Sequence, residues 1–282
     1  MKKNGYADTT IKATGKRLRY LQRNCNLQDP EDVKGHIANK QCSNGHKESL
    51  IEAYAILMKS INQTWQKPFY KRNDKLPRIP TTEKLSMLIS NARTRMALFL
   101  SMSRDLGTRP IELTWLQIKD IDLRNGIVNI TSAKHCNPRA LKLKSKTLDM
   151  LKQYIVKKGL NQNSRLFPTN PDYIGDSYRR LRNALAEKLQ DPTIKQIRLY
   201  DFRHYYASML YHKTRDLLLV KVKLGHKDLR QTLRYTQLVD AMENDEYHCK
   251  TATNIKEATN LIENGFEYVT EIDGTKLFKK PK

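Results

Sequence analysis

Three short segments hold basic residues in settings that suit an anion, two of them beside a histidine and a tyrosine. In Leu106-Gly107-Thr108-Arg109-Pro110-Ile111-Glu112-Leu113, Pro110 fits the first position of a helix and pushes Arg109 to an extended conformation at its entrance. Ile111, Trp115 and Ile118 then fall at i, i+4 and i+7 and are expected to face inward. A cation is poorly placed at a helix N-terminus, a mismatch that an anion held by both the arginine and the free N–H groups resolves. In Tyr200-Asp201-Phe202-Arg203-His204-Tyr205-Tyr206, Asp201 reads as an N-cap, and Phe202, Tyr205, Tyr206, Met209 and Leu210 follow the helical template. Arg203 and His204 therefore belong to a first helical turn. In the segment from Leu224 to Tyr235, Gly225 closes one helix with a left-handed cap and Asp228 opens the next, leaving His226 between them and Tyr235 flanked by Arg230 and Arg234. Each segment alone has an ordinary reading: a surface arginine, an Arg203–Asp201 ion pair, a half-buried packing tyrosine.

Jointly, these segments resemble the tyrosine recombinase (phage integrase) family, whose signature runs Arg, β-hairpin Lys, His-x-x-Arg, His or Trp, and a nucleophilic Tyr. Arg109 stands 25 residues ahead of Lys134, Arg203 matches the second arginine, His226 follows it by 23 residues within Leu-Gly-His, and Tyr235 comes nine later. The resemblance covers roughly residues 80–238, and the closing segment resembles the tails of integrases from archaea and mobile elements. It implies that Tyr235 attacks phosphorus and stays attached as a 3′-phosphotyrosine, that Arg109 and Arg203 clamp the phosphate, that Lys134 protonates the leaving oxygen and that His226 completes the hydrogen-bond shell. It implies no cofactor and no metal. One position departs from the pattern: Tyr200 stands where the histidine of His-x-x-Arg is expected. A phenol is a poor general base at neutral pH but can hold a phosphate oxygen, so Tyr200 reads as a binding residue, and the adjacent His204 reads as structural.

The elements that must position these residues are mostly helical. Thr9 or Thr10 is expected to cap a helix reaching about Arg23, Asp29-Pro30 to start a second, and Lys47–Trp65 to form a third. The proline-rich stretch 67–80 reads as a linker between a helical core DNA-binding domain over 1–66 and a catalytic domain over 81–240. One helix is expected from Thr81 through Leu100, then a hairpin of Ile127–Thr131 and Leu141–Lys144 joined by the basic turn Ser132–Arg139. Residues 241–282 read as a tail suited to subunit contact, a helix followed by a hairpin turning at Asp273-Gly274. The expected fold is mainly α with a small antiparallel sheet.

Charge bounds the partner. The chain of 282 residues carries a net charge of +23, of which +21 lies before residue 201, while the stretch from Asp240 onward is at −3. Such a balance points to a polyanion, and double-stranded DNA carrying a recombination site is the expected one. Lys142, Lys144 and Lys146 alternate on one strand face and are expected to continue Lys134 and Arg139 as a basic hairpin on DNA, Arg139, Lys142 and Lys144 contacting phosphates. A homotetramer on DNA is the family expectation, with the acidic tail docking on a basic neighbour. No apolar run approaches a membrane span, no leader is evident, and four cysteines without a C-x-x-C pair suit a reducing cytoplasm. Cys25, His36, Cys42 and His46 match no common zinc spacing, and Asp105, Asp120 and Asp122 read as charge balance and caps rather than a magnesium cluster. The neighbouring readings are a type IB topoisomerase-like enzyme and a DNA-binding regulator with a decayed active site.

Overall fold

The computed structural model describes the chain apart from residues 73–75, 134–135, 239–246, 273 and 282. Lys134, Asp240 and Asp273 thus fall outside the described residues. The chain forms two compact units, residues 1–75 and 76–282.

The first unit holds helices α1 (Asp8–Gln22), α2 (Pro30–Asn39) and α3 (Asn44–Ser60). The N-cap of α1 is Ala7, so Thr9 and Thr10 lie inside the first turn rather than capping it. Asp29 does cap α2, its side chain accepting from Glu31 N. Helix α3 starts at Asn44, capped by Ser43, and stops at Ser60, short of Trp65, because Asn62 adopts a positive φ of 56°. Leu21, Val33, Ile37, Leu50, Ile51, Tyr54 and Met58 form its core, against which Trp65 and, from the proline-rich stretch, Tyr70 pack. The other end of that stretch belongs to the second unit, where Pro77 and Pro80 are buried.

The second unit begins with α4 (Thr82–Ser90), capped by Thr81, and α5 (Thr94–Leu106). The single helix expected over 81–100 is therefore two. Arg93, in an extended conformation, breaks the path, and the amphipathic α4 gives way to a helix whose residues from Ala97 to Leu106 are almost all buried. A helix buried on nearly every side cannot be the straight continuation of one that keeps a solvent face. Helix α6 (Pro110–Trp115) follows, then strands β1 (Ile121–Asp122), β2 (Ile127–Ile130) and β3 (Arg139–Lys142), paired antiparallel in the order β1-β2-β3. Helices α7 (Ser145–Lys158), α8 (Pro171–Lys188), α9 (Asp201–Thr214), α10 (Leu217–Leu224) and α11 (Arg230–Leu233) complete the domain. Its core runs from Leu85 through Phe99, Val128, Leu151 and Phe167 to Phe202 and is continuous across helices and sheet.

Past residue 246 the chain forms β4 (Tyr247–Ala252), α12 (Ile255–Glu263), β5 (Glu267–Ile272) and β6 (Thr275–Pro281), with strand order β4-β6-β5. The helix and hairpin match the expectation, whereas β4 adds a strand that the sequence reading did not include. The architecture is mainly helical with small antiparallel sheets.

Candidate active site

Arg109 sits where Pro110 dictates, in an extended conformation (φ −71°, ψ 142°) at the N-cap of α6. The inward face of that helix is Glu112, Leu113 and Thr114, while Trp115 is 40% exposed, contrary to the apolar spacing. The polar network explains the rotation. The Glu112 side chain is fully enclosed, accepts from the Arg109 backbone N at 2.9 Å, pairs with the Arg109 guanidinium at 2.9 Å and pairs with Arg139 at 2.7 Å. Glu three residues past the N-cap is capping-box spacing, a signal available in the sequence but not used there. Burial pushes the Glu112 carboxyl up, but Arg139 and the two Arg109 donors together hold it below the usual carboxylate range.

Arg139 lies in β3, not in the turn, and shares the inner face with Leu141, while Lys142 and Lys144 point outward. The strand period of two puts it opposite the lysines it was expected to continue. Its Nη1 also donates to Ser132 Oγ at 3.0 Å. The hairpin turn is held further by Arg109 Nη2 donating to Cys136 Sγ at 3.2 Å and by Asn137 N donating to the Gly225 carbonyl at 3.2 Å.

Arg203 is 1% exposed on α9. Asp201 is not its partner and not the N-cap, which is Tyr200: Asp201 opens the helix and accepts from the backbone N and guanidinium of Arg198. Arg203 instead donates to the carbonyls of Gly107 at 2.7 Å and Leu224 at 2.8 Å. Both carbonyls border turns built on glycine. Gly107 ends α5 at φ 57° and Gly225 ends α10 at φ 69°. A Cβ on Gly107 would lie 2.2 Å from the Tyr206 ring, and one on Gly225 would lie 2.7 Å from the Asn137 carbonyl. Both the left-handed backbone and the close approach therefore require glycine.

His226 follows directly. Its Nε2 lies 3.1 Å from Arg203 Nη2 and its Nδ1 lies 2.9 Å from Thr232 Oγ1. A guanidinium only donates, so Nε2 accepts and Nδ1–H donates to Thr232, which fixes the tautomer. Burial first, then Arg203, Arg109 and Arg139, push the imidazole down to about 3, so it is neutral at physiological pH.

Tyr235 is 2% exposed, its ring packed with Ala207, Val220 and Leu224 between α9 and α10. Its hydroxyl lies 3.0 Å from His204 Nδ1. Burial outweighs the neighbouring arginines and pushes the phenol up to about 12. His204, read from the sequence as structural, is thus in contact with the candidate nucleophile. Tyr200 is 39% exposed, with its ring 5.1 Å from that of His204. The site therefore brings together Arg109, Arg203, His226, Tyr235, His204 and Tyr200, while Lys142 is exposed on β3 and Lys144, expected in the same strand, is exposed as the N-cap of α7.

The electrostatic balance is uneven. Among the described residues Arg109 and Arg139 are bonded to one carboxylate, Glu112, while the bonds of Arg203 go to backbone carbonyls and His226. Burial lowers the Arg203 pKa, and Arg109 and Arg139 push it the same way. A buried guanidinium without a counter-ion is costly, and an anion lodged beside Arg203 removes that cost. Of the other groups weighed, Asp120 and Asp122 accept backbone N–H bonds in turns, and Asp105 accepts from Lys144 N. Among the described residues no three His, Cys, Asp or Glu side chains cluster as a metal site. No helix among the described residues is long and apolar enough to cross a membrane.

A helical domain flanked by a small sheet, with arginines, histidine and tyrosine converging at one end of its helices, has the fold of tyrosine recombinase catalytic domains. Residues 78–242 match the phage integrase family model, and the chain belongs to that family. The chain is 32% identical over 179 residues to the probable integrase/recombinase protein MJ0367 of Methanocaldococcus jannaschii, which covers 58% of this chain and 54% of that protein. It is 27% identical over 230 residues to the tyrosine recombinase XerA of Saccharolobus solfataricus, covering 79% of this chain and 75% of the relative. The match thus spans about half of the first relative's length and three quarters of the second's. Among solved structures, the Tn1549 transposon integrase in complex with transposon right end DNA superposes with a TM-score of 0.62 at 16% identity, over 86% of this chain and 94% of that one. The XerH pre-cleavage complex with its difH substrate gives 0.56 at 24% identity, over 77% and 71%.

Proposed function

We propose that this protein cuts and rejoins double-stranded DNA at specific sites through a phosphotyrosine at Tyr235, as an integrase or recombinase of a mobile element. The observation that carries the reading is the enclosed Arg203, bonded to His226, in one site with Arg109 and Arg139, which hold Glu112, and with Tyr235, which meets His204. Charge builds on the non-bridging oxygens as a phosphodiester is attacked, and pre-set arginines stabilise it without rearranging. Arg109 and Arg203 clamp the phosphate, Arg139 reinforces them through Glu112, and Tyr200 and His226 supply hydrogen bonds. The departing 5′ oxygen takes its proton from Lys134, a role that rests on the family resemblance. The covalent bond conserves the energy of the phosphodiester, so the 5′ hydroxyl of another strand can reverse the step. The decisive test is a nicked target duplex incubated with the protein and resolved on a denaturing gel, with and without chelator. A covalent protein–DNA adduct supports the reading; site-specific binding with no adduct refutes it in favour of a regulator with a decayed site.

The exposed Lys142 of β3 and Lys144 at the start of α7 fit a backbone contact. Replacing Lys142 and Lys144 by Ala is expected to lower the slope of log K against log salt by about 1 per residue, with little change in sequence preference. Unchanged salt dependence in equilibrium binding would remove both from the interface. Residues 1–66 are assigned to gripping the same duplex and residues 241–282 to contact between subunits of a DNA-bound tetramer. A support for the tetramer is that one structural neighbour is a lambda integrase tetramer bound to a Holliday junction. A chain ending near residue 240 is expected to bind a single site normally but to lose synaptic complexes on native gels; full assembly by the shortened chain would refute the tail assignment. The proposed location is the cytoplasm, where DNA is the polyanion at hand.

A further inference from the structure

We propose that His204 is the residue that takes the proton from Tyr235 as the nucleophile attacks. The inference rests on the reading of Tyr235 given above and goes beyond it by naming the base. His204 Nδ1 lies 3.0 Å from Tyr235 Oη and both side chains are enclosed; with the proton of a neutral ring on Nε2, Nδ1 accepts from that hydroxyl. Tyr200, one turn earlier on the same face of α9, is a phenol with its ring beside His204, so the imidazole sits deeper on the path to the nucleophile.

The step balances. Tyr235 Oη forms a bond to phosphorus, its proton passes to His204 Nδ1, the bond from phosphorus to the 5′ oxygen breaks, and that oxygen takes a proton from Lys134. Rejoining runs the transfers backward, so each strand exchange returns both groups to their starting states. The imidazolium formed in the first step is favoured by Asp201, which lies on the same helix, while Arg198, Arg234 and Arg203 oppose it. Burial is the larger effect and keeps His204 neutral at physiological pH, its value pushed down to about 4, so Nδ1 is free to accept. Among the described residues the imidazole also faces the Tyr235 hydroxyl, from the segment after α11, and the Tyr200 ring.

The test is the rate of adduct formation on nicked duplex from pH 6 to 9, for the full chain and for His204→Asn, whose amide can keep the hydrogen bond to Tyr235 but cannot take a proton. The wild-type rate is expected to be flat across this range. The variant is expected to be slower by about 10²- to 10⁴-fold at pH 7, to gain about tenfold per pH unit as the phenol ionises unaided, and to bind DNA as before. His204→Gln receives the same assay if His204→Asn does not fold. A variant that cleaves at or above the wild-type rate, or with a flat profile, overturns the proposal, and so does a wild-type rate that itself climbs tenfold per unit. Absence of any wild-type adduct, or an adduct that survives loss of the Tyr235 hydroxyl, strikes instead at the underlying reading.

Discussion

Tyr235→Phe is expected to abolish the covalent protein–DNA adduct while leaving the fold and DNA binding in place. The substitution removes one oxygen from a ring that is 2% exposed and packed against Ala207, Val220 and Leu224, so the apolar contacts of the side chain survive. The lost interaction is the 3.0 Å bond to His204, worth about 1 kcal/mol, a small part of a domain's stability. The substitution removes the proposed nucleophile and covalent carrier, so a drop on the order of 10⁴-fold or more is expected. Adduct formation on a nicked duplex, resolved under denaturing conditions beside a binding gel for the same samples, makes the measurement. An adduct still formed by the Tyr235→Phe protein would show that another residue attacks.

Glu112→Ala is the largest expected effect on stability, about 3–5 kcal/mol, because it leaves Arg109 and Arg139 enclosed without their shared counter-charge. The side chain of Glu112 is fully buried and that of Arg139 nearly so, so solvent cannot replace what is lost. The pair of ion bonds also ties α6 to β3, so the hairpin loses an anchor and strand cleavage falls with stability. Glu112→Gln, which keeps the shape and part of the hydrogen bonding, is expected to cost less. The pH dependence has a definite sign. The carboxyl is depressed below its unfolded value, near ~4.3, so its contribution is present above that pH and is lost as pH falls through the lower folded value. Urea melts of wild type and Glu112→Gln between pH 3 and 7 should converge toward acid. A difference that stays constant down to pH 3 would show that Glu112 is not ionised in the folded protein.

Local rules carried much of the site into view. Pro110 after Arg109 forced a helix entrance, glycines at 107 and 225 marked left-handed ends, and the alternation around Lys142 and Lys144 marked a strand with an exposed face. Each of these depends on backbone sterics over a few residues, which any stretch of sequence displays. Apolar spacing misled at two places. It turned Trp115 inward where the Glu112 ion network has priority, and one helix was drawn across residues 81–100 where the chain breaks at Arg93 and continues as a helix buried on nearly every side.

Residue types and their order along the chain therefore sufficed for the family and the mainly helical class, and they singled out Arg109, Lys134, Arg203, His226 and Tyr235 as the candidates for the chemistry. Partnership was a different matter. That Arg203 bonds carbonyls rather than Asp201, that Arg139 faces Glu112 rather than the lysines, and that His204 reaches Tyr235 each depend on side chains 21 to 96 residues apart in the chain. Such contacts arise when helices and sheet close around one core, because buried charges and donors must find partners wherever the fold brings them. Spacing names the groups that can react with a phosphodiester; packing chooses which of them touch.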